Sequence, residues 1–225
     1  MNNNDYTVSI VIPTYNHWNM TNTLIQGLLS HEKDRISEIV VVDDGSQEVC
    51  EFDWSDLGVA KTYKMPKNVG FTLTANAGLE MCLKPIASRH LIFLISNDVQ
   101  IKGKFIEQAS DILFGARAAF VGNKMFAHDT GWNTFEGNTF QYLEGAFLGC
   151  TSDGWRDIGL LDPNYAPFDY EDMDVCTTAK SKGYKLVALN NPNIIHQGGG
   201  TLGYTPERRA ITERNKEYFR KKWVK

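Results

Sequence analysis

The feature that most constrains this chain is an alternation: a short apolar run, a cluster of polar or turn-forming residues, then a stretch with helical periodicity. Residues 8–12 (VSIVI), 38–42 (EIVVV), 59–63 (VAKTY) and 91–95 (LIFLI) are the runs, and their length and borders predict buried parallel strands. Helical patterns fall between them over residues 20–30 and 71–83, the second with Leu73, Ala77 and Met81 four apart on one face. Such alternation predicts βαβ units, hence an α/β fold with a mostly parallel central sheet flanked by helices. In sheets of this kind ligands bind at the carboxyl ends of the strands.

That rule directs attention to the residues after each strand. They are Pro13-Thr14-Tyr15-Asn16, Asp43-Asp44-Gly45-Ser46, Asn68-Val69-Gly70 and Ser96-Asn97-Asp98. Asp43 and Asp44 have a plain reading as turn formers. They also fit a phosphoacceptor receiver domain, but that fold would account for only half of the chain. Asp98 is harder to explain by turn chemistry. A carboxylate at the end of so apolar a strand loses hydration unless something compensates. A divalent cation would do so, because magnesium and manganese sites use one or two protein carboxylates and take the rest of their shell from phosphates and water.

The second half is less regular. Residues 124–139 read as a loop or β-excursion, and residues 145–150 as a strand. Glu171, Asp172 and Asp174 open a helical run to Lys182 that Gly183 closes, where acids gain from the helix dipole whatever their role. His196 ends an apolar segment before Gln197 and the glycines at 198–200; it reads equally as a loop residue or a metal ligand.

Composition excludes several classes. With 225 residues and 42% apolar content the chain can bury a sizeable core, and neither repeat nor linker divides it. No apolar run approaches the roughly 20 residues of a membrane span, and residues 1–5 lack a basic leader, which predicts a cytoplasmic protein. Cys50, Cys82, Cys150 and Cys176 form no CxxC pair, so buried free thiols are expected. A net charge of -4 argues against nucleic-acid binding. That charge is unevenly spread: residues 207–225 hold eight Lys/Arg against three Glu. This basic final helix, with Ile211, Tyr218, Phe219 and Trp223 along one side, has three readings. It packs back on the domain, it brings Arg208, Arg209 or Arg214 over a diphosphate, or it rests its Lys/Arg face on anionic lipid as a peripheral membrane contact.

The segments "VSIVIPTYNH", "EIVVVDDGS", "NVGFTLTANAGLE", "LIFLISNDVQI", "GAFLGCTSDGWRDIGLLDPNY", "FDYEDMDVCTTAKSKGYKL", "IIHQGGGT" and "RNKEYFRKKW", in this order, resemble the family 2 glycosyltransferases of the GT-A fold from Val8 to about Trp223. The resemblance implies a single domain: a nucleotide-binding half over about 8–98, an acceptor and catalytic half over 99–204, and the basic helix over 205–225. It implies that Pro13, Thr14, Tyr15, Asp43 and Asp44 hold the base and ribose, that Asn68, Gly70 and Asn76 line the same pocket, and that Asn97 and Asp98 meet the donor. The family's metal-binding DxD falls on Ser96-Asn97-Asp98, so its first acid is absent and its last is kept. Asp98 would then hold Mn2+ or Mg2+ only together with the donor phosphates, with His196 as a second ligand. Asp172 matches the general base of an inverting transfer and Glu171 would orient the acceptor. A family arginine is replaced within Cys176–Lys180, and the QxxRW motif of processive synthases is absent, so one sugar per binding event is expected. The partners implied are a nucleotide-sugar donor, UDP-linked by the family's habit although thymidine-linked donors occur, and a glycan or lipid-linked acceptor. Two alternatives stay open: a non-catalytic sugar-nucleotide or glycan-binding module, motivated by Ser96, and a nucleotidylyltransferase, disfavoured because residues 13–18 contain neither Gly nor Lys/Arg.

Overall fold

The computed structural model describes residues 6–54, 57–58, 60–86, 88–115, 118–134, 137–198 and 205–224, with the backbone alone over 129–134 and 137–138. Seven strands build the main sheet, β1 (Thr7–Thr14), β2 (Glu38–Asp43), β3 (Ala60–Lys64), β4 (His90–Ile95), β6 (Ala119–Gly122), β9 (Phe147–Thr151) and β10 (Lys185–Ala188), in the order β10-β6-β9-β4-β1-β2-β3. Every pairing is parallel except those of β9, which runs antiparallel between β4 and β6.

The two faces of the sheet are read directly from strand alternation. Val8, Ile10 and Ile12 of β1, with Ile39, Val41, Leu91 and Phe93, enter one core under α1 (Trp18–Glu32) and α3 (Ile106–Gly115). Val11, Val40, Val42, Ile92 and Leu94 point the other way, under α2 (Phe71–Cys82), α4 (Ser152–Ile158) and α5 (Glu171–Ser181). Period-two side chains thus fill both layers, which is why these strands look continuously apolar.

Two expectations need correction. The buried side of α2 is Ala75, Gly78, Leu79 and Cys82, whereas Met81 is exposed and Leu73 and Ala77 are half-buried. A tight approach decides this: a Cβ at Gly78 would lie 2.3 Å from Val11 Cγ1, so the glycine edge of the helix is the one that meets the sheet. The third strand is not buried either, because β3 is the sheet edge, with Lys61, Thr62, Tyr63 and Lys64 exposed. Within residues 124–139 the described residues include β7 (Met125–Thr134) and the start of β8 (Gly137–Leu143), which pair antiparallel, and the predicted strand at 145–150 is β9. Cys82, Cys150 and Cys176 are buried free thiols, and Cys50 is half-buried.

The last helix, α6 (Pro206–Trp223), packs on the domain through Phe219, which joins Phe140, Tyr165 and Met173; its ring lies 4.8 Å from that of Phe140. Lys222 reaches Asp162 and the buried Asp174 at 2.7 and 2.8 Å. Several other basic residues of α6 pair with its own Glu213 and Glu217, so much of the local positive charge is answered within the helix. The helix also clamps the loop before α5. Asn215, fully buried, shares its amide N–H groups among the carbonyls of Tyr165, Phe168 and Asp169 at 2.7–2.8 Å. Asn215→Ala would leave those carbonyls without donors. The expected loss is about 2 kcal/mol, which lowers Tm by roughly 4–8 °C in a thermal melt. An unchanged Tm would show that the clamp is dispensable.

Candidate functional site

A cavity of about 390 Å3 opens at the carboxyl edge of the sheet, where β1 and β4 end. Pro13, Thr14, Tyr15, Asp44, Asn68, Gly70, Asn97, Asp98, Glu171, Asp172 and His196 all line it. Two residues expected there do not. Asp43 turns back to accept from Ser46 N–H at 2.7 Å and pairs with Lys64 at 3.5 Å, which shapes the loop after β2. Asn76 is committed to Leu161, donating to its carbonyl at 2.7 Å and accepting from its N–H at 3.0 Å, which ties α2 to the second half of the chain. Of the three arginines proposed for a diphosphate, only Arg208 lines this cavity; Arg209 lines a neighbouring one, and Arg214 bonds Asn215 and the Ala166 carbonyl. The glycines at 199 and 200 and Thr201 lie outside the described residues.

Each wall has a local cause. Asp44 receives Val69 N–H at 2.7 Å and Gly70 N–H at 2.9 Å, so the acid after β2 holds the turn before α2. Burial nevertheless raises the Asp44 pKa, these bonds opposing it. Gly70 is required at φ 88°, and a Cβ there would sit 2.2 Å from Pro167 Cβ. Thr14 and Asn97 are joined across the sheet edge at 3.1 Å.

Asp98 and His196 meet through a ladder that the sequence does not announce. β5 (Val99–Ile101) pairs antiparallel with β11 (Ile194–His196), placing His196 opposite Val99. His196 Nε2 then lies 3.3 Å from Asp98 Oδ2, and its Nδ1 lies 2.7 Å from Glu144 Oε1. Hydrogen bonds to Asp98 and then to Glu144 raise the imidazole pKa to about 9. Burial pushes Asp98 up, but the bond and charge of His196 prevail and hold it below the usual carboxylate range. Glu144 joins the site without standing at the carboxyl end of a parallel strand. Its signal is the acid directly before the strand start at Gly145: because β9 runs antiparallel, the residues before it lie at the same edge as those after β4.

Glu171 and Asp172 begin α5 after two non-glycine residues at positive φ, Asp169 (71°) and Tyr170 (75°). Such strain persists only where the surroundings enforce it. Here Arg208 grips the Asp169 carboxylate at 2.9 and 3.3 Å and Thr212 donates to it at 2.6 Å. Asp172 Oδ1 accepts from Met173 N–H at 2.7 Å and Oδ2 from Gly145 N–H at 3.2 Å. Burial lifts Asp172 to about 6, these bonds limiting the rise. Burial, and then the charge of Asp172, lift Glu171 well above the carboxylate range. Burial thus raises both adjacent acids, and the charge of Asp172 adds to the rise at Glu171.

Among the described residues, the buried side-chain oxygens lacking a hydrogen-bond partner are Thr74 Oγ1, Asp98 Oδ1 and Glu171 Oε2, and all three residues line this cavity. Native interiors leave few such atoms without a functional reason. Asp98 Oδ1 and His196 Nε2 fit a divalent cation as a carboxylate and imidazole pair. Among the described residues no cluster of three or more His, Cys, Asp or Glu forms a cation cage, so other oxygens must complete a shell.

Residues 9–167 match the family model for Glycosyl transferase family 2. The chain belongs to the family 2 glycosyltransferases. It is 21% identical, over 96% of its length, to an uncharacterised protein, y4gI, of Sinorhizobium fredii, of which it spans 27%. Among solved structures it superposes on GalNAc-T7 with UDP, GalNAc and Mn2+ at TM-score 0.69 and 13% identity, covering 95% of this chain and 50% of that one. It also matches the mannosyltransferase PcManGT of Pyrobaculum calidifontis with GDP-Man and Mn2+, at 0.60 and 14%, covering 80% and 54%. Residues 1–349 of S. aureus TarS give 0.59 and 16%, covering 81% and 58%. At these identities the likeness is one of fold, the GT-A fold. The chain spans about a quarter to a little over half of these relatives' lengths.

Proposed function

We propose that this glycosyltransferase moves a sugar, with inversion, from a nucleoside-diphosphate donor to an acceptor hydroxyl. The observation that carries the reading is the convergence of the partnerless Thr74, Asp98 and Glu171 oxygens on one cavity that also holds the Asp172 carboxylate. Thr74 sits beside Asp44 on the nucleotide side; Asp98 and His196 would hold Mn2+ or Mg2+. The cation, when bound, neutralises charge growing on the departing diphosphate. Asp172, ionised above about pH 6, takes the proton of the attacking hydroxyl. Glu171, beside it on the same cavity wall, would orient the acceptor.

A second cavity of about 920 Å3 supports the direction of attack. It shares Asp169, Glu171, Asp172 and Arg208 with the first and is otherwise lined by residues such as Tyr142, Tyr170, Arg209 and Glu213. The carboxylates therefore stand between two chambers, one for the donor and one for a glycan or lipid-linked acceptor. UDP is the favoured nucleotide. No helix among the described residues is long and apolar enough to cross a membrane.

A panel of UDP-, GDP- and dTDP-sugars with Mn2+, read by thermal shift and by release of the nucleoside diphosphate, tests the reading. One donor is expected to raise Tm and be slowly hydrolysed. Binding without any hydrolysis or transfer would favour the non-catalytic module that Ser96 brings to mind, and no binding at all would overturn the donor assignment.

A further inference from the structure

We propose that Glu144 is a positioning residue for the cation site: it fixes the His196 ring so that Nε2 faces Asp98, supplying from the turn before β9 the acid that Ser96 does not. The proposal rests on the glycosyltransferase reading above.

The geometry has three parts. First, the imidazole is held at both nitrogens, 2.7 Å from Glu144 Oε1 and 3.3 Å from Asp98 Oδ2, and only one of these contacts can be given up to a cation without freeing the ring. Asp98 also carries the partnerless Oδ1, so the Asp98 side is where the cation belongs and the Glu144 side is the anchor. A metal-bound histidine needs its other nitrogen held by an acceptor, which sets both tautomer and ring orientation. Second, Glu144 is itself well fixed: its N–H donates to the Lys124 carbonyl at 3.0 Å and its carbonyl accepts from Phe147 N–H at 3.2 Å. A wandering side chain on a loop could not orient a ring, whereas this one hangs from a bonded turn. Third, Glu144 lines the cavity. Its charge therefore acts on a bound cation even without touching it, and a site with one DxD acid missing gains most from such a charge.

The same turn reaches further. Gly145 N–H holds Asp172 at 3.2 Å and the Ala146 carbonyl accepts from Ser96 N–H at 2.9 Å, so three consecutive residues touch the histidine, the base and the end of β4. Glu144 is thus registered against both the cation ligands and the proposed base Asp172.

The test is Mn2+ affinity measured by electron paramagnetic resonance, with UDP, GDP or dTDP present in turn, for the parent, Glu144→Gln and Glu144→Ala. Ala removes the anchor and is expected to weaken Mn2+ at least ten-fold, while Gln, which keeps an acceptor oxygen without charge, falls between Ala and the parent. Nucleotide affinity measured with chelator should be the same in all three, which also reports an intact fold. Both variants binding Mn2+ within two-fold of a metal-binding parent would overturn the role of Glu144 alone. A parent that binds no Mn2+ with any nucleotide would overturn the cation site itself, and this proposal with it.

Discussion

Asp172→Asn is expected to lower kcat by about 10²–10⁴ while donor affinity stays within a few-fold, and to make the protein more stable at neutral pH. Both effects have one origin. Burial lifts the Asp172 pKa from 3.8 to about 6, so the fold tolerates the ionised carboxylate less well than water does. The penalty is absent below about pH 4, grows as pH rises through about 6, and is complete above it. Amide substitution removes it only in the upper range. The gap in pKa sets an upper bound of about 3 kcal/mol. Partial exposure of Asp172, and an Asn amide that cannot accept from both Met173 and Gly145 N–H groups, reduce the expected gain to about 1 kcal/mol. Chemical denaturation at pH 4 and pH 8 should therefore show coincident curves at the first and a more stable variant at the second. The parent's turnover should fall on the acid side of about pH 6. A variant that turns over within a few-fold of the parent while binding donor would remove Asp172 from the mechanism.

Asp98→Ala is expected to abolish the difference between donor binding in Mn2+ and in chelator, and to lower kcat/KM by about 10³, the scale of several kcal/mol of Lewis-acid stabilisation. Asp98 is the residue whose loss should matter most at that end of the cavity, because it offers both the oxygen without a partner and the contact to His196. Calorimetry with and without Mn2+ measures the first effect. A parent indifferent to chelator, or an Asp98→Ala variant that keeps the Mn2+ dependence, would end the metal role.

The strand ends were legible because burial on both faces of a parallel sheet writes itself as an unbroken apolar run, and the polar residues that follow mark the edge. That logic reached Thr14, Asn97 and Asp98. It fails where direction matters: nothing in residues 145–150 says that this strand runs backwards, so Glu144, just before it, does not read as part of the ligand-binding edge. It fails again on α2, where spacing selects Leu73, Ala77 and Met81. Small size was the better guide to that face, since Gly78 meets Val11. Asp43 and Asn76 show a third limit. Both are polar residues at the right places in sequence, yet each spends its hydrogen bonds on neighbouring backbone. The strained Asp169–Tyr170 pair, and its tether to α6 through Arg208, Thr212 and Asn215, depends on contacts across some forty residues and leaves no local trace.

The turn formed by Glu144, Gly145 and Ala146 has a consequence for how such a site can diverge. The proposed cation ligand His196 and the proposed base Asp172 are gauged from adjacent links of one backbone, so their separation is inherited from covalent geometry and resists drift. A mutation that shifted one would drag the other. On the proposed function, new donor or acceptor preferences should therefore arise by exchange at walls the turn does not touch, Tyr15, Asn68 and Phe168 in the first cavity and Tyr142 or Arg209 in the second, while the reacting distance itself stays constant.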